Sequence, residues 1–284
     1  MKDFPIPVVT VGPGAQETAD DEFRYLELPR EMSTFQMPGL PDPESARGAT
    51  EARGVLRWLA ATTAAWPEVG GPATFDVGSL DAANRAVLDQ VLGEGEVSII
   101  VSGERDLRIQ ESVFAGVWRL RVVGPGNSVE RDLVEVGPIP QSVLAAARER
   151  AEPQVPTLPV PEDAFSAPPI LAEVADRAGS RRAGEPAHVI NLSLLPLSPA
   201  DGRHLGEVLA AGPVRILSRG YGSCRITSTI VRDTWWVQYV NGYGKPMVES
   251  IEITDVPEVA IASREDIADS ASRVAEALEW LEQN

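Results

Sequence analysis

A chain of 284 residues with 43% apolar content is long enough to bury a sizeable core, as one large domain or two smaller ones. A formal net charge of −17 argues against nucleic acid and anionic membrane as partners, because so negative a body repels phosphate. A single cysteine excludes an internal disulfide, the N-terminal MKDFPIPVVTVGPGAQ lacks a signal-peptide apolar core, and no apolar run reaches the roughly 18 residues of a membrane span. The expectation is a cytoplasmic protein without membrane insertion.

Residues 1–48 are rich in Pro, Gly, Asp and Glu and show no helical period. Pro5, Pro7, Pro13, Pro29, Pro38, Pro41 and Pro43 break helices, so this stretch reads as an extended arm. Its apolar residues, Met32 and Phe35 among them, suit packing along the body or docking on a partner.

Residues 49–150 read as a first α+β unit. Val55, Leu56 and Leu59 share a helical face, and a strand follows near 73–77. A second helix opens at Ser79, carries Val87, Leu88, Val91 and Leu92, and ends at Gly93 or Gly95. Four apolar, β-branched segments at 96–101, 107–113, 117–123 and 129–136 then predict a meander, closed by a short helix at 140–150. Residues 151–169 are proline-rich and read as a linker.

Residues 170–284 read as a second unit that repeats the first. With the numbering shifted by 117, identical residues recur at Leu88/Leu205, Val91/Val208, Ile99/Ile216, Gly103/Gly220, Arg108/Arg225, Trp118/Trp235, Glu135/Glu252 and Pro140/Pro257, among others. Ser198-Pro199-Ala200-Asp201 has the pattern of a capped helix start, and a last helix starts at Ser263. Along 225–230, Ile226 and Ile230 are expected on one face and Arg225, Thr227 and Thr229 on the other. The predicted fold is α+β: a tandem duplication of two antiparallel meander sheets, each with helices on one face, preceded by the extended arm.

No C-x-x-C pair or phosphate loop is present, and His188 and His204 share no metal-ligand spacing, so no cofactor is expected. Cys224 sits in the turn Arg219-Gly220-Tyr221-Gly222-Ser223-Cys224-Arg225. Two guanidiniums beside a thiol favour its thiolate, which makes Cys224 a weak catalytic candidate, with His204 as a base. The first unit has Leu107 at the Cys224 position, which favours packing instead. Arg219, Tyr221 and Trp236 answer to Ser102, Glu104 and Arg119, so they are peculiar to the second unit and are better candidates for contacting a partner.

The residues from Val189 to Ile267 resemble the C-terminal domain of the HupH/HyaF/HoxQ family of nickel–iron hydrogenase expression and formation proteins. The matching pieces are Ile190-Asn191-Leu192, the Arg219–Arg225 run, Trp235-Trp236 and Val256–Ala260; Gly12–Gly14 and Met32–Phe35 are similar to the family's N-terminal arm. The resemblance implies a non-catalytic accessory chaperone. It would hold the precursor of the iron–sulfur small subunit of a membrane-bound hydrogenase before export, beside a thioredoxin-like maturation protein. Partner contact is then assigned to Arg219, Tyr221, Cys224, Arg225, Trp236, Met32 and Phe35. A thiol-dependent enzyme using Cys224 and a scaffold bridging other maturation proteins are the alternatives.

Overall fold

The computed structural model describes residues 41–283 apart from 70, 221 and 242. Met32, Phe35 and Tyr221 lie outside the described residues. The first half runs α1 (Pro43–Gly48), α2 (Thr50–Val69), β1 (Ala73–Asp76), α3 (Ala82–Leu92), β2 (Val97–Val101), β3 (Asp106–Glu111), β4 (Val117–Val123), β5 (Val129–Val136) and α4 (Gln141–Glu149). The second runs α5 (Ala167–Ser180), β6 (His188–Asn191), α6 (Pro199–Val208), β7 (Ala211–Ser218), β8 (Ser223–Thr229), β9 (Thr234–Val240), β10 (Pro246–Ile253) and α7 (Arg264–Gln283).

All ten strands form one antiparallel sheet in the order β1-β5-β4-β3-β2-β7-β8-β9-β10-β6. The strands of the second half thus reverse the order of the first. The halves meet where β2 pairs with β7, Ile99 opposite Ile216, two positions related by the 117-residue shift. Matching positions make matching contacts. The Trp118 indole N–H donates to the Gly137 carbonyl at 2.8 Å, and the Trp235 indole N–H to the Thr254 carbonyl at 3.1 Å. Gly116 and Asp233, both with positive φ, shape the turns before β4 and β9.

Directly paired residues share a sheet face. On one face Phe75, Val117, Val134 and Val136 pack under α1, α2, α3 and α7. On the same face Ile190, Trp236, Ile251 and Ile253 pack under α5 and α6. The opposite face carries Ile99, Ile109, Trp118, Ile216, Ile226 and Trp235, covered by α4 through Val143 and Leu144 and by the 3₁₀ turn Glu258–Ala260. Helical segments therefore lie on both faces, contrary to the expectation of one. The physical reason lies in strands such as β4, where neighbouring Val117 and Trp118 are both fully buried and each side needs a cover.

Four further expectations are corrected. The arm was expected to be extended to residue 48, but Pro43 occupies the first turn of α1, where a missing N–H costs nothing, and Asp42 caps it. Ala46 and Ala49 are buried in the core. The cap of α3 is Asp81, which accepts from the Asn84 N–H at 2.8 Å, not Ser79. Ile230 follows the end of β8 and packs under α5 and α6, away from Ile226. Finally, α7 belongs in space to the first half: Val274 and Leu281 join the α2 core, and the Arg57 guanidinium pairs with Glu282 at 2.8 Å.

The proline-rich stretch is tied to the body. The Glu152 N–H donates to the Ile230 carbonyl at 2.6 Å, and Ala164 is buried. At its end, one Asp201 carboxylate oxygen accepts the Ser166 and Ala167 N–H groups at 2.7 and 2.8 Å, and the other accepts from Ser198, so one side chain fastens the starts of α5 and α6 together.

Because Leu281 is fully buried against α2, Leu281→Ala is expected to lower unfolding free energy by about 2–5 kcal/mol. Urea unfolding measures this, and a loss below about 1 kcal/mol would mean α7 is not part of the first half's core.

Candidate functional site

The turn between β7 and β8 is anchored at its β7 end. The Arg219 N–H donates to the Glu96 carbonyl at 3.1 Å, so the turn leans on the start of β2. The Ser218 hydroxyl donates to the Val259 carbonyl at 3.1 Å. Gly222 has φ 95°, a conformation that favours glycine. Gly220 lies so close to Glu96 that a Cβ there would stand 2.2 Å from a carboxylate oxygen.

Strand alternation then separates the nominated residues. Cys224 points to the face covered by α4, 1% exposed among Ile216, Ile226 and Tyr239. Arg225 points to the other face, opposite Gln238 and Leu217. The guanidinium beside the thiol in sequence is thus across the sheet from it. Burial, and then the Glu252 carboxylate, push the Cys224 thiol up to about 12, the reverse of the activation expected from its flanking arginines. His204, inside α6 and buried, belongs with the core on the far side of the sheet, so Cys224 has no base there.

Trp236 shares the face of Arg225 but is half-buried under α5 and α6. Its indole N–H and the Gln238 amide both donate to the Glu249 carboxylate. The corresponding residues of the first half repeat this layout in ionic form: Arg119 and Arg121 meet Asp132, with Arg119 Nη2 at 2.7 Å. The tryptophan is therefore an aromatic replacement of a buried ion pair and less an exposed anchor. Arg219 is half-exposed at the turn.

Perturbed carboxyls elsewhere sit in the core. Burial holds Glu135 and Glu252 above the usual range, and Glu135 accepts the first N–H of α4, from Gln141, at 2.9 Å. Burial raises Glu111 to about 7, nearby Glu96 and Asp266 add to this, and the Gly116 N–H opposes it. Among the described residues no three or more His, Cys, Asp or Glu are grouped to hold a metal ion. His188 Nε2 lies 2.7 Å from Glu173 at the β6 edge, beside a shallow recess lined by Arg177 and Arg181.

What sequence reasoning missed is the surface that Arg225 belongs to. Rows across the central strands bring together Arg121, Arg108 and Arg215, with Arg225 one row along. The signal was available: each lies at an alternate position of a predicted strand, turned away from the apolar residues.

Comparison with known proteins gives one family. The region described as "HupH hydrogenase expression protein, C-terminal conserved region" matches the chain twice, at residues 49–155 and 164–281. A relative in Cupriavidus necator, "Hydrogenase expression/formation protein HoxQ", is 46% identical and covers 99% of both chains. One in Rhodobacter capsulatus, "Hydrogenase expression/formation protein HupH", is 41% identical and covers 98% of both. A solved structure, "Hydrogenase expression protein HupH" from Thiobacillus denitrificans, is 32% identical, with TM-score 0.34, over 40% of this chain and 93% of its own.

Two outcomes follow from the buried groups. A thiol reagent at pH 8 should leave Cys224 unlabelled in the native chain and label it in urea; rapid native labelling would contradict its burial. The second concerns Glu111, whose folded value of about 7 lies above its ordinary 4.5, so its proton stabilises the fold at low pH and that stability is lost as pH rises through 7. Melts of Glu111→Gln against wild type should therefore show the variant gaining about 2 kcal/mol in relative stability between pH 5 and pH 8. A constant difference would sink this assignment.

Proposed function

The chain belongs to the HupH family of hydrogenase expression/formation proteins, and from that premise we propose that it is an accessory chaperone for the iron–sulfur small subunit of a membrane-bound nickel–iron hydrogenase, holding the precursor before export. A role in hydrogenase maturation follows from family membership over nearly the whole chain, which is the observation that carries the reading. The finer statement, that the small-subunit precursor is bound beside a thioredoxin-like partner in the cytoplasm, extends it.

The site geometry supports a binding role over a chemical one. The one thiol is buried and its pKa raised, and it lies across the sheet from Arg225. Partner contact is assigned to Arg219 and Arg225, at one end of the open sheet face, with Tyr221, Met32 and Phe35 carried over from the sequence. The acidic exterior suits the basic signal segment of an export precursor. We also take the two halves to descend from one duplicated unit. The 117-residue register, the reversed strand order and the double family match support this.

Affinity capture of the full chain from cells producing the precursor tests the reading. The precursor should co-purify, less so at high salt and after removal of its signal; a complex indifferent to both would remove the electrostatic part, and no complex would remove the chaperone reading. Hydrogenase activity in Cys224→Ala and Cys224→Ser strains should stay at wild-type level, whereas loss in both would restore the thiol mechanism.

A further inference from the structure

Among the described residues, the face that carries α3 and α6 is covered at its two ends and open between them. α3 stands over β4, where Asp89 reaches Arg121 at 3.2 Å and Arg119 at 3.5 Å. α6 stands over the sheet's other end, with Leu205 and Leu209 against Trp236 and Ile251. Five strand spacings of about 4.8 Å separate β4 from β9, and subtracting one helix width of about 10 Å leaves a trough of about 14 Å. That is room for about four residues of extended chain crossing the strands.

The floor of the trough is basic. One row across it is Arg121, Arg108, Ile100, Arg215 and Thr227; the next is Gln110, Ser98, Leu217 and Arg225. Arg121 is held by Asp89, and Arg215 donates to the Ser102 hydroxyl at 3.1 Å. Arg108 is exposed and Arg225 half-exposed, and among the described residues neither has a carboxylate partner. They are equivalent under the 117-residue shift, as are Ile100 and Leu217, the half-exposed apolar pair lying between them.

We propose that this trough binds an acidic segment of a partner protein in extended conformation, its carboxylates on Arg108 and Arg225 and an apolar side chain on Ile100 and Leu217. Guanidinium is suited to bidentate carboxylate recognition. Arg108 and Arg225 stand three strand spacings apart, about 14 Å, which an extended chain rising about 3.3 Å per residue spans in about four residues. Residues two apart in such a chain share a side, so an apolar residue midway faces the floor. Charge selects a short peptide over a polyanion. The body as a whole carries −17, which opposes the approach of nucleic acid or anionic membrane, while a few carboxylates within a Debye length of about 8 Å feel the local arginines. The inference goes beyond the maturation reading and does not depend on which partner supplies the segment.

Fluorescence anisotropy on the full chain tests it, using a labelled peptide carrying Glu-Ser-Leu-Ser-Glu. Comparison probes are the same peptide with Gln for Glu and a single-stranded oligonucleotide. The wild type should bind the Glu peptide, more weakly as salt rises, and should not bind the Gln peptide. The double variant Arg108→Gln, Arg225→Gln should lose about tenfold or more in affinity, Arg264→Gln at the exposed start of α7 should lose nothing, and Arg108→Lys should keep part of the binding. Thermal melts establish that each variant is folded; if the double variant is not, either single variant serves. No binding by the wild type, equal binding by the folded variants, or oligonucleotide binding as tight as the peptide's would overturn the proposal.

Discussion

Five residues of β2 lying antiparallel to β7 hold the two halves together, and the rest of the architecture depends on that pairing. It makes one ten-stranded sheet from two five-stranded ones and puts Ile99 against Ile216 at the centre. Because paired residues share a face, this register carries the alternation of one half into the other. A slip of one residue would put the arginines of β7 and β8 on the face where the first half keeps its apolar residues. The trough exists only because the two sheets join edge to edge, with α3 and α6 standing apart over the ends. α7 adds a second tie, running from the end of the second half back into the core of the first.

The same alternation decides the chemistry of the turn around Cys224. Two pairs of sequence neighbours, Cys224 with Arg225 and Trp235 with Trp236, are split between the two sides of the sheet. On one side the thiol and Trp235 lie in apolar surroundings, near a carboxylate held above its usual range. On the other, Trp236 replaces an arginine of the first half while keeping the hydrogen bond to a strand carboxylate. A nominated reactive site thereby divides into a buried packing residue and one member of a polar floor.

Most elements were legible in the sequence because local signals announce them. The bounds of β4 and β5 match the runs read from β-branched residues, the Ser198–Asp201 capping box forms as its pattern predicts, and Ser263 begins α7. The 117-residue register was legible too, since it is a property of the sequence itself. What was missed depends on contacts distant along the chain. Nothing near α7 says that Leu281 will meet α2, and nothing near α4 says it will cover the face opposite α3. The short-range rule that flanking arginines activate a thiol failed at Cys224 because a strand sends neighbours to opposite sides. The arginine floor was hidden because its members come from two hairpins more than 90 residues apart, β3–β4 and β7–β8, and only the strand order sets the two side by side.

The central claim is that the joined sheet presents one open face on which a hydrogenase maturation partner is held. A photo-crosslinking residue placed at Leu217, on the trough floor, or at Ile261, exposed beyond the 3₁₀ turn on the other side, tests it most directly in cells that make the hydrogenase. The account predicts a light-dependent adduct with the small-subunit precursor or the thioredoxin-like maturation protein from position 217 and with neither from position 261. Capture from 261 alone, or equal capture from both, would contradict it.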